Sequence, residues 1–491
     1  MKEKFYITTA IPYVNGAPHI GHALEYVVAD TIHRMYELTG ADTFFVSGAD
    51  ENALKNAQAA DKAGIDIQSF LDKNSTIFRN FYKYLNVNLD EFMRGTDRKN
   101  HWPGVQRLWR MSALNNDIYK KKYKGLYCVG SESFVTKDEL REGGLCPEHD
   151  EKPVVVEEEN HFFRLSKYKD QLIKLIETGE LEIVPEKRKN EALSFIKGGL
   201  TDISISRSAE RQRDGVGIPV PGDESQKIYV WFDALTIYMT GVGWGRRKSL
   251  FQRYWPAQLH VIGKDILRFH AVYWPAMLLS ASLPLPKTLL VHGFVTSHGR
   301  KMGKSLGNAV DPYDIIDKYG IEAVRYYLLS QIPTLDDGDF TIERFEQVYQ
   351  SDLANGLGNL VSRTTAMARA TGLRFKTLKE ADQKISADVV RAVKEYNINR
   401  ALELIWRRIN KADRYINENR VWEKEGEAAR EYMEHLVREL RQLAIDLAPF
   451  LPETSRKIKI VFADSTIDEK IEPLFPRLDK RPSKNSYFYT K

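Results

Sequence analysis

Cysteine is nearly absent, with Cys128 and Cys146 the only two in 491 residues. Two thiols cannot build a disulfide framework, which excludes the small cross-linked secreted classes and suits a reducing compartment. No apolar run approaches the ~20 residues that a membrane-spanning helix needs. Lys2 and Lys4 are followed by a short apolar run that Pro12 interrupts, without a cleavage site, so no signal peptide is read there. A cytoplasmic protein with no membrane partner is the expectation. An excess of one charge is lacking too, since the net formal charge is +5. That balance does not announce a polyanion partner, which would need a local basic face. No internal repeat and no appended dimerisation domain are found, so a monomer is expected.

Hydrophobic residues make up 43% and charged residues 28%, ordinary for a globular chain. The length suits two to four domains of about 100–200 residues each. The most informative stretch runs from Pro12 to His22. Before it, Phe5 to Thr9 reads as a short buried strand. After it, Leu24, Val27, Val28, Thr31, Ile32 and Met35 recur at helical spacing. Pro12, Gly16 and Pro18 break the chain between the two. His19 and His22 therefore flank Ile20-Gly21 at the start of a helix that follows a strand. Such an end carries free N–H groups and a positive dipole, which suit phosphate. Gly21 lets a flat ligand approach the backbone. The plainer reading is two partly exposed histidines beside a helix cap.

A second stretch, Gly299 to Asn308, follows the apolar run Thr288 to Phe294. Its glycines and its Lys301 and Lys304 make a mobile cationic arm; otherwise it is a solvated loop. An early histidine pair and a late lysine loop are what a nucleoside triphosphate needs from two halves of one α/β site.

Other candidates follow in chain order. Asp50 lies just past the strand Thr43 to Ser47, where open α/β sheets bind ligands, and could hold an ammonium. It could equally cap a helix over Glu51 to Gly64. Residues 115–223 are rich in Lys, Glu and Gly and read as an insertion. There Cys146-x-x-His149 is half a zinc site and Cys128 a third ligand; a metal-free knuckle-shaped loop is the alternative. The sheet is expected to resume near Gln226, with strands at Ile228 to Phe232 and His260 to Ile262 and a helix at Ile266 to Leu279. Trp231, Tyr238, Phe269 and His270 are then aromatic groups near strand ends, in core or pocket. From about Thr341 helices are expected, at Asp352 to Ala370 and Ile385 to Asn417, with Leu402, Ile405, Ile409, Ala412 and Ile416 on one stripe. Asn355, Asn359 and Arg363 share a face, with Trp422 nearby. That set suits unstacked bases, or is simply a polar face with a core tryptophan.

His19-Ile20-Gly21-His22 and Lys301-Met302-Gly303-Lys304-Ser305 resemble the H-I-G-H and K-M-S-K-S signatures of the class I aminoacyl-tRNA synthetases. Ala10 to Gly16, Gly48 to Asn52, Tyr229 to Leu235, Gly263 to Ile266 and Asp352 to Leu360 narrow the resemblance to the methionyl-tRNA synthetase family. It covers nearly the whole chain. The implied fold is α/β: a doubly wound, Rossmann-type parallel-sheet catalytic domain, a knuckle-like insertion and a C-terminal α-helical bundle. The implied boundaries are 1–114 and 226–295 for the catalytic halves, 115–225 for the insertion, 296–345 for the lysine loop and stem contacts, and 346–491 for the anticodon-binding helices.

The resemblance also implies an activity: ATP-dependent ligation of L-methionine to its tRNA through methionyl adenylate, with Mg²⁺ accompanying ATP. His19, His22, Lys301 and Lys304 carry catalysis. Gly21, Glu25, Gly263, Asp265, Lys304 and Ser305 bind ATP. Ile11, Tyr13, Asp50, Trp231, Ala234, Tyr238, Phe269 and His270 bind methionine, with Asp50 on its amine. Asn355, Asn359, Arg363 and Trp422 read the anticodon CAU. Three departures stand out. Asn52-Ala53 replaces a frequent His-Gly. Gly303 replaces the serine of the lysine signature. Ser131 stands where zinc-binding members have a cysteine, leaving Cys128, Cys146 and His149 as a partial Zn²⁺ site that water or Glu132 would complete. A small-molecule nucleotidyltransferase shares the histidine helix but needs neither insertion nor bundle. A non-catalytic tRNA-binding derivative could have lost His19, His22, Asp50 or Lys304, and all are present. The leucine, isoleucine and valine enzymes carry a larger editing insertion, and a cysteine enzyme would want intact zinc.

Overall fold

Lys4–Thr9 is a strand whose last five residues are all buried. A parallel strand covered by helices on both faces is apolar along its whole length rather than on alternate residues. Leu259–Gly263 and Thr288–His292 are buried throughout for the same reason. In the computed structural model the described residues are 2–128, 133–135, 137–146, 152–210, 216–301, 310–376, 384–463, 466–467 and 472–478. They divide into two units, 1–294 and 295–491.

The first unit is built on a six-stranded sheet. Its order is Glu91–Arg94, Asp42–Ala49, Lys4–Thr9, Leu259–Gly263, Thr288–His292 and Glu182–Val184, and every pair is parallel. From Lys4–Thr9 the chain builds two strands to one side, then returns to build on the other. The crevice at the carboxyl ends of Lys4–Thr9 and Leu259–Gly263 is therefore the topological switch point where such sheets bind ligands.

The insertion is less separate than expected, because it supplies Glu182–Val184, an edge strand of the central sheet paired with Thr288–His292. It also holds a four-stranded antiparallel sheet around the paired strands Ile118–Cys128 and Val154–Phe163, a separate three-stranded sheet and the helices Lys169–Thr178 and Glu186–Lys197. Cys128 and Cys146 are buried there with Val135, against Leu126 and Leu140. Ser131 and His149 lie outside the described residues.

The strand expected at Ile228 to Phe232 is corrected. Ile228 ends an antiparallel strand, Asp223–Ile228, and Val230–Thr240 is a helix buried at every position. A helix surrounded by protein has no polar face, so its apolar run carries no helical period and reads like a strand. The central sheet resumes at Leu259 instead. The helix expected at Ile266 to Leu279 is a short 3₁₀ turn, a wide π turn at Phe269–Tyr273 and an α-helix at Trp274–Ser280.

In the second unit Val295–Ser297 pairs with Arg300–Lys301 and Gly338–Asp339. Helices begin at Pro312–Tyr319, earlier than Thr341. The stretch expected as one helix from Ile385 is two, Ala387–Lys394 and Ile398–Glu418, broken where Tyr396 adopts a φ of 59°. The Leu402, Ile405, Ile409, Ala412, Ile416 stripe is buried. Tyr349–Gly358 is a π-helical segment that leads into the Asn359–Thr371 α-helix. Among the described residues no helix is long and apolar enough to cross a membrane.

Gly48 sits where the Asp42–Ala49 strand faces Met93, and a Cβ there would lie 2.3 Å from the Met93 carbonyl oxygen. A backbone atom cannot swing aside, so Gly48→Ala must push the paired strands away from each other. It is expected to cost about 1–3 kcal/mol, as overpacked sites do. Gly16→Ala, with nothing within 4 Å of the new Cβ, should leave thermal melting unchanged.

Candidate active site

The Ile20–Leu38 helix starts at His19, whose extended backbone makes it the N-cap. Its Nδ1 accepts from the Gly21 N–H at 3.1 Å, and the His22 Nδ1 accepts from the His19 N–H at 3.1 Å. Two histidines thus form the reciprocal cap that Ser and Glu usually make. The plainer sequence reading, histidines at a cap, is what the backbone shows, and it carries a chemical consequence. With both Nδ1 atoms accepting, each ring is neutral with its proton on Nε2. The rings stack at 3.8 Å. Burial, then the neighbouring His19 and His292, hold the His22 pKa well below the usual imidazole range. A Cβ on Gly21 would press to 3.0 Å from the His19 ring, so a side chain there would push the ring aside.

One turn along, Glu25 is buried. It accepts from the Ala10 N–H at 2.8 Å and lies 3.0 Å from the His292 Nε2. Gly263 ends its strand close to Asp265 and His292, for a Cβ on Gly263 would be 2.8 Å from the Asp265 Oδ1 and 3.8 Å from the His292 ring. Glu25, Gly263, Asp265 and His292 thus lie together at the switch point.

Asp50 is buried at 3% exposure. Its backbone pairs with Tyr13 in a parallel bridge and bonds the Pro12 carbonyl. It is not a helix cap. The helix after it is Leu54–Ala63, and its N-cap position is Ala53, which makes no side-chain cap bond. Asn52 is tied on every side. Its amide donates to the Gly95 carbonyl at 2.9 Å and to Asp233 at 2.6 Å, and its oxygen accepts from the Gly217 N–H at 3.2 Å. Asp233 also meets His101 at 2.5 Å. Glu51 accepts from Ser75, Arg94 and Thr96. The chain just after Asp50 is therefore clamped through buried polar groups.

The Val230–Thr240 helix carries Trp231, Ala234 and Tyr238. Trp231 stacks on Phe269 with centroids 3.6 Å apart, and the Tyr13 ring meets its edge at 6.2 Å. The Trp231 Nε1 is buried without a hydrogen-bond partner among the described residues. Ile11 is partly buried against the same core. The His270 Nδ1 lies 3.0 Å from the Ile266 carbonyl, which only accepts, so Nδ1 holds the proton and Nε2 accepts from the Tyr238 hydroxyl at 2.8 Å. Burial pulls the His270 pKa down to about 4, which keeps this pair neutral. Tyr13 joins the two regions, since its backbone pairs with Asp50 and its ring touches Trp231.

In the second unit Lys301 closes a short strand; its side chain, Lys304 and Ser305 lie outside the described residues. Asn355 is exposed, and Asn359 and Arg363 are partly so. The Arg363 guanidinium is held at 2.9 Å by Asp413 and at 2.9 Å by Asn417. The Trp422 ring lies 5.7 Å from it and is 52% exposed. Trp422 is therefore a surface group, not the core tryptophan of the plainer reading.

Sequence reasoning assigned no role to His292, Asn52, His101, Asp233 or Asp413. His292 had a readable signal, a polar residue ending an apolar strand. The others become visible only through partners far along the chain.

The family described as tRNA synthetases class I (M) matches residues 5–152 and 145–365. The methionine--tRNA ligase of Brucella suis biovar 1 is 40% identical over 480 residues, covering 94% of this chain and 92% of that protein. That of Clostridium acetobutylicum is 42% identical over 476 residues, covering 93% and 73%. A solved structure of Mycobacterium tuberculosis methionyl-tRNA synthetase in complex with methionyl-adenylate superposes with a TM-score of 0.89 at 36% identity, over 97% of this chain and 100% of that one. These likenesses place the chain in the methionyl-tRNA synthetase family of class I aminoacyl-tRNA synthetases.

Proposed function

We propose that this chain charges tRNA with L-methionine in two steps, as a cytoplasmic monomer. The observation that carries the reading is Tyr13, which joins the Asp50 carboxylate region to the Trp231, Phe269, Tyr238 and His270 pocket. A carboxylate suits an ammonium, and neutral rings suit a soft thioether, which gains from aromatic edges and needs no charge. A methionine carboxylate oxygen attacks the α-phosphorus of ATP in line, the bond to the β-phosphate oxygen breaks, and pyrophosphate leaves. A ribose hydroxyl at the tRNA end then attacks the carbonyl carbon of the adenylate and releases AMP. Neither step needs a covalent enzyme intermediate, so catalysis is positioning and charge stabilisation. His19 and His22, with protons on Nε2, donate to phosphate oxygens. Gly21 and Glu25 face the adenosine, and Gly263 and Asp265 face its ribose. Lys301, Lys304 and Ser305 are assigned to the phosphates from the signature alone. Mg²⁺ accompanies ATP and neutralises phosphate charge. Asn355, Asn359, Arg363 and Trp422 are assigned to the CAU anticodon. The exposed indole beside a clamped guanidinium supports that assignment, since such a pair can stack an unpaired base.

Zinc has no step in this mechanism. Cys128, Cys146 and His149 give three donors where a structural site takes four, and serine is a poor fourth. Among the described residues no cluster of three or more His, Cys, Asp or Glu forms a metal site. Elemental analysis is expected to give less than one zinc per chain, rising in Ser131→Cys; stoichiometric, chelator-resistant zinc in the unaltered protein would refute this.

Pyrophosphate exchange run with each of the twenty amino acids should be fastest with methionine, with homocysteine weaker by roughly 10–200-fold. Lys304→Ala is expected to slow exchange by ~10²–10³-fold with little change in methionine affinity; equal loss of methionine binding would make the lysine structural. Trp422→Ala should keep exchange near the original rate and reduce tRNA charging roughly 5–150-fold, the loss of one stacked base. Because the indole is half exposed, the melting temperature should hold. Unchanged charging would remove Trp422 from the anticodon set.

A further inference from the structure

We propose that His292 is a positioning residue of the adenylation site, held near neutral pH as an imidazolium that fixes the Glu25 carboxylate and sets a positive charge beside the turn at Gly263. The proposal rests on the reading above that Glu25 and Gly263 face the adenosine of ATP.

His292 ends the Thr288–His292 strand and is 5% exposed. Its Nδ1 lies 2.7 Å from the Gly293 carbonyl oxygen and its Nε2 3.0 Å from the Glu25 Oε2. A carbonyl oxygen and a carboxylate only accept, so both ring nitrogens must donate, and a ring with two N–H groups is a cation. The alternative is a protonated Glu25 donating to a neutral ring. It is disfavoured because an imidazole ordinarily holds its proton more tightly than a carboxylic acid.

The surroundings agree. Burial works against the charge, but the hydrogen bond and charge of Glu25, the bond to the Gly293 carbonyl and the charge of Asp265 leave the His292 pKa raised. The ionisable groups acting on it are Glu25 and His22 from the Ile20–Leu38 helix and Asp265 from the turn after Leu259–Gly263. Two consequences follow for a polyanionic nucleotide. The cation holds the Glu25 carboxylate in one orientation toward the nucleotide, which the amide pair of a double variant does not reproduce. It also disfavours a second positive charge on His22, which stays a neutral Nε2–H donor.

The test uses His292→Gln, Glu25→Gln and their combination in methionine-dependent pyrophosphate exchange, with KM for ATP and for methionine followed against pH. In the unaltered protein KM for ATP should stay flat near neutrality and climb as pH rises through the raised His292 pKa, where the cation is lost. His292→Gln should remove that alkaline climb and raise KM for ATP about tenfold at neutral pH, as for one lost interaction worth one pK unit, with KM for methionine unchanged. The double variant, an amide pair without charge, should not recover. Recovery of ATP binding in the double variant, or an alkaline climb that survives in His292→Gln, would overturn the proposal. If Glu25→Gln leaves KM for ATP unchanged, the adenosine assignment itself fails, and the proposal with it. Imidazole ¹⁵N spectra of the unaltered protein near pH 7 test the charge without any variant. Two protonated nitrogens on His292 support the proposal, and one bare nitrogen refutes it.

Discussion

A parallel sheet built outward from Lys4–Thr9 in two directions must leave a gap above the strand where the direction changes. Helices leaving to opposite faces cannot close it, and the carboxyl ends of the strands point into it. Most of the candidate active site is a set of attachments to that gap. The histidine helix starts from one side, and Asp50 hangs from the neighbouring strand. Gly263 and His292 end the two strands beyond it. The site's position therefore follows from topology, while its chemistry depends on how each attachment is held.

Protonation is controlled by the partners of the ring nitrogens, and this differs from one histidine to the next. His19 and His22 spend Nδ1 on backbone N–H groups. His270 spends Nδ1 on a carbonyl and Nε2 on Tyr238. His292 faces acceptors at both nitrogens. One residue type thus gives two neutral cap rings, a neutral ring bonded to Tyr238 and the proposed cation within one unit. The buried network of Asn52, Asp233 and His101 fixes the chain just after Asp50. A short polar side chain at position 52 reaches three partners at once, which accounts for asparagine there without any ligand.

The outline of the fold was legible wherever periodicity and punctuation agree. The first strand, the Ile20–Leu38 helix and the Ile398–Glu418 stripe were read from the chain because local spacing is enough for an element with one buried face. The Val230–Thr240 helix was misread, since burial on all sides erases the period. The Glu182–Val184 strand was missed because a three-residue edge strand carries almost no pattern, and its pairing partner lies about a hundred residues away.

Residue identity by itself determined the family, the histidine and lysine signatures and the candidate ligand groups, because motifs of that length are specific wherever the chain folds. It determined also that Ser131 and Gly303 depart from the pattern. Only the tertiary structure decided that Asp50 is not a cap, that Trp422 is exposed, that Arg363 is held by Asp413 and that His292 meets Glu25 across 267 residues. Those are facts about partners. A side chain's charge and direction depend on which donors and acceptors surround it, and they arrive from strands and helices that local sequence does not connect.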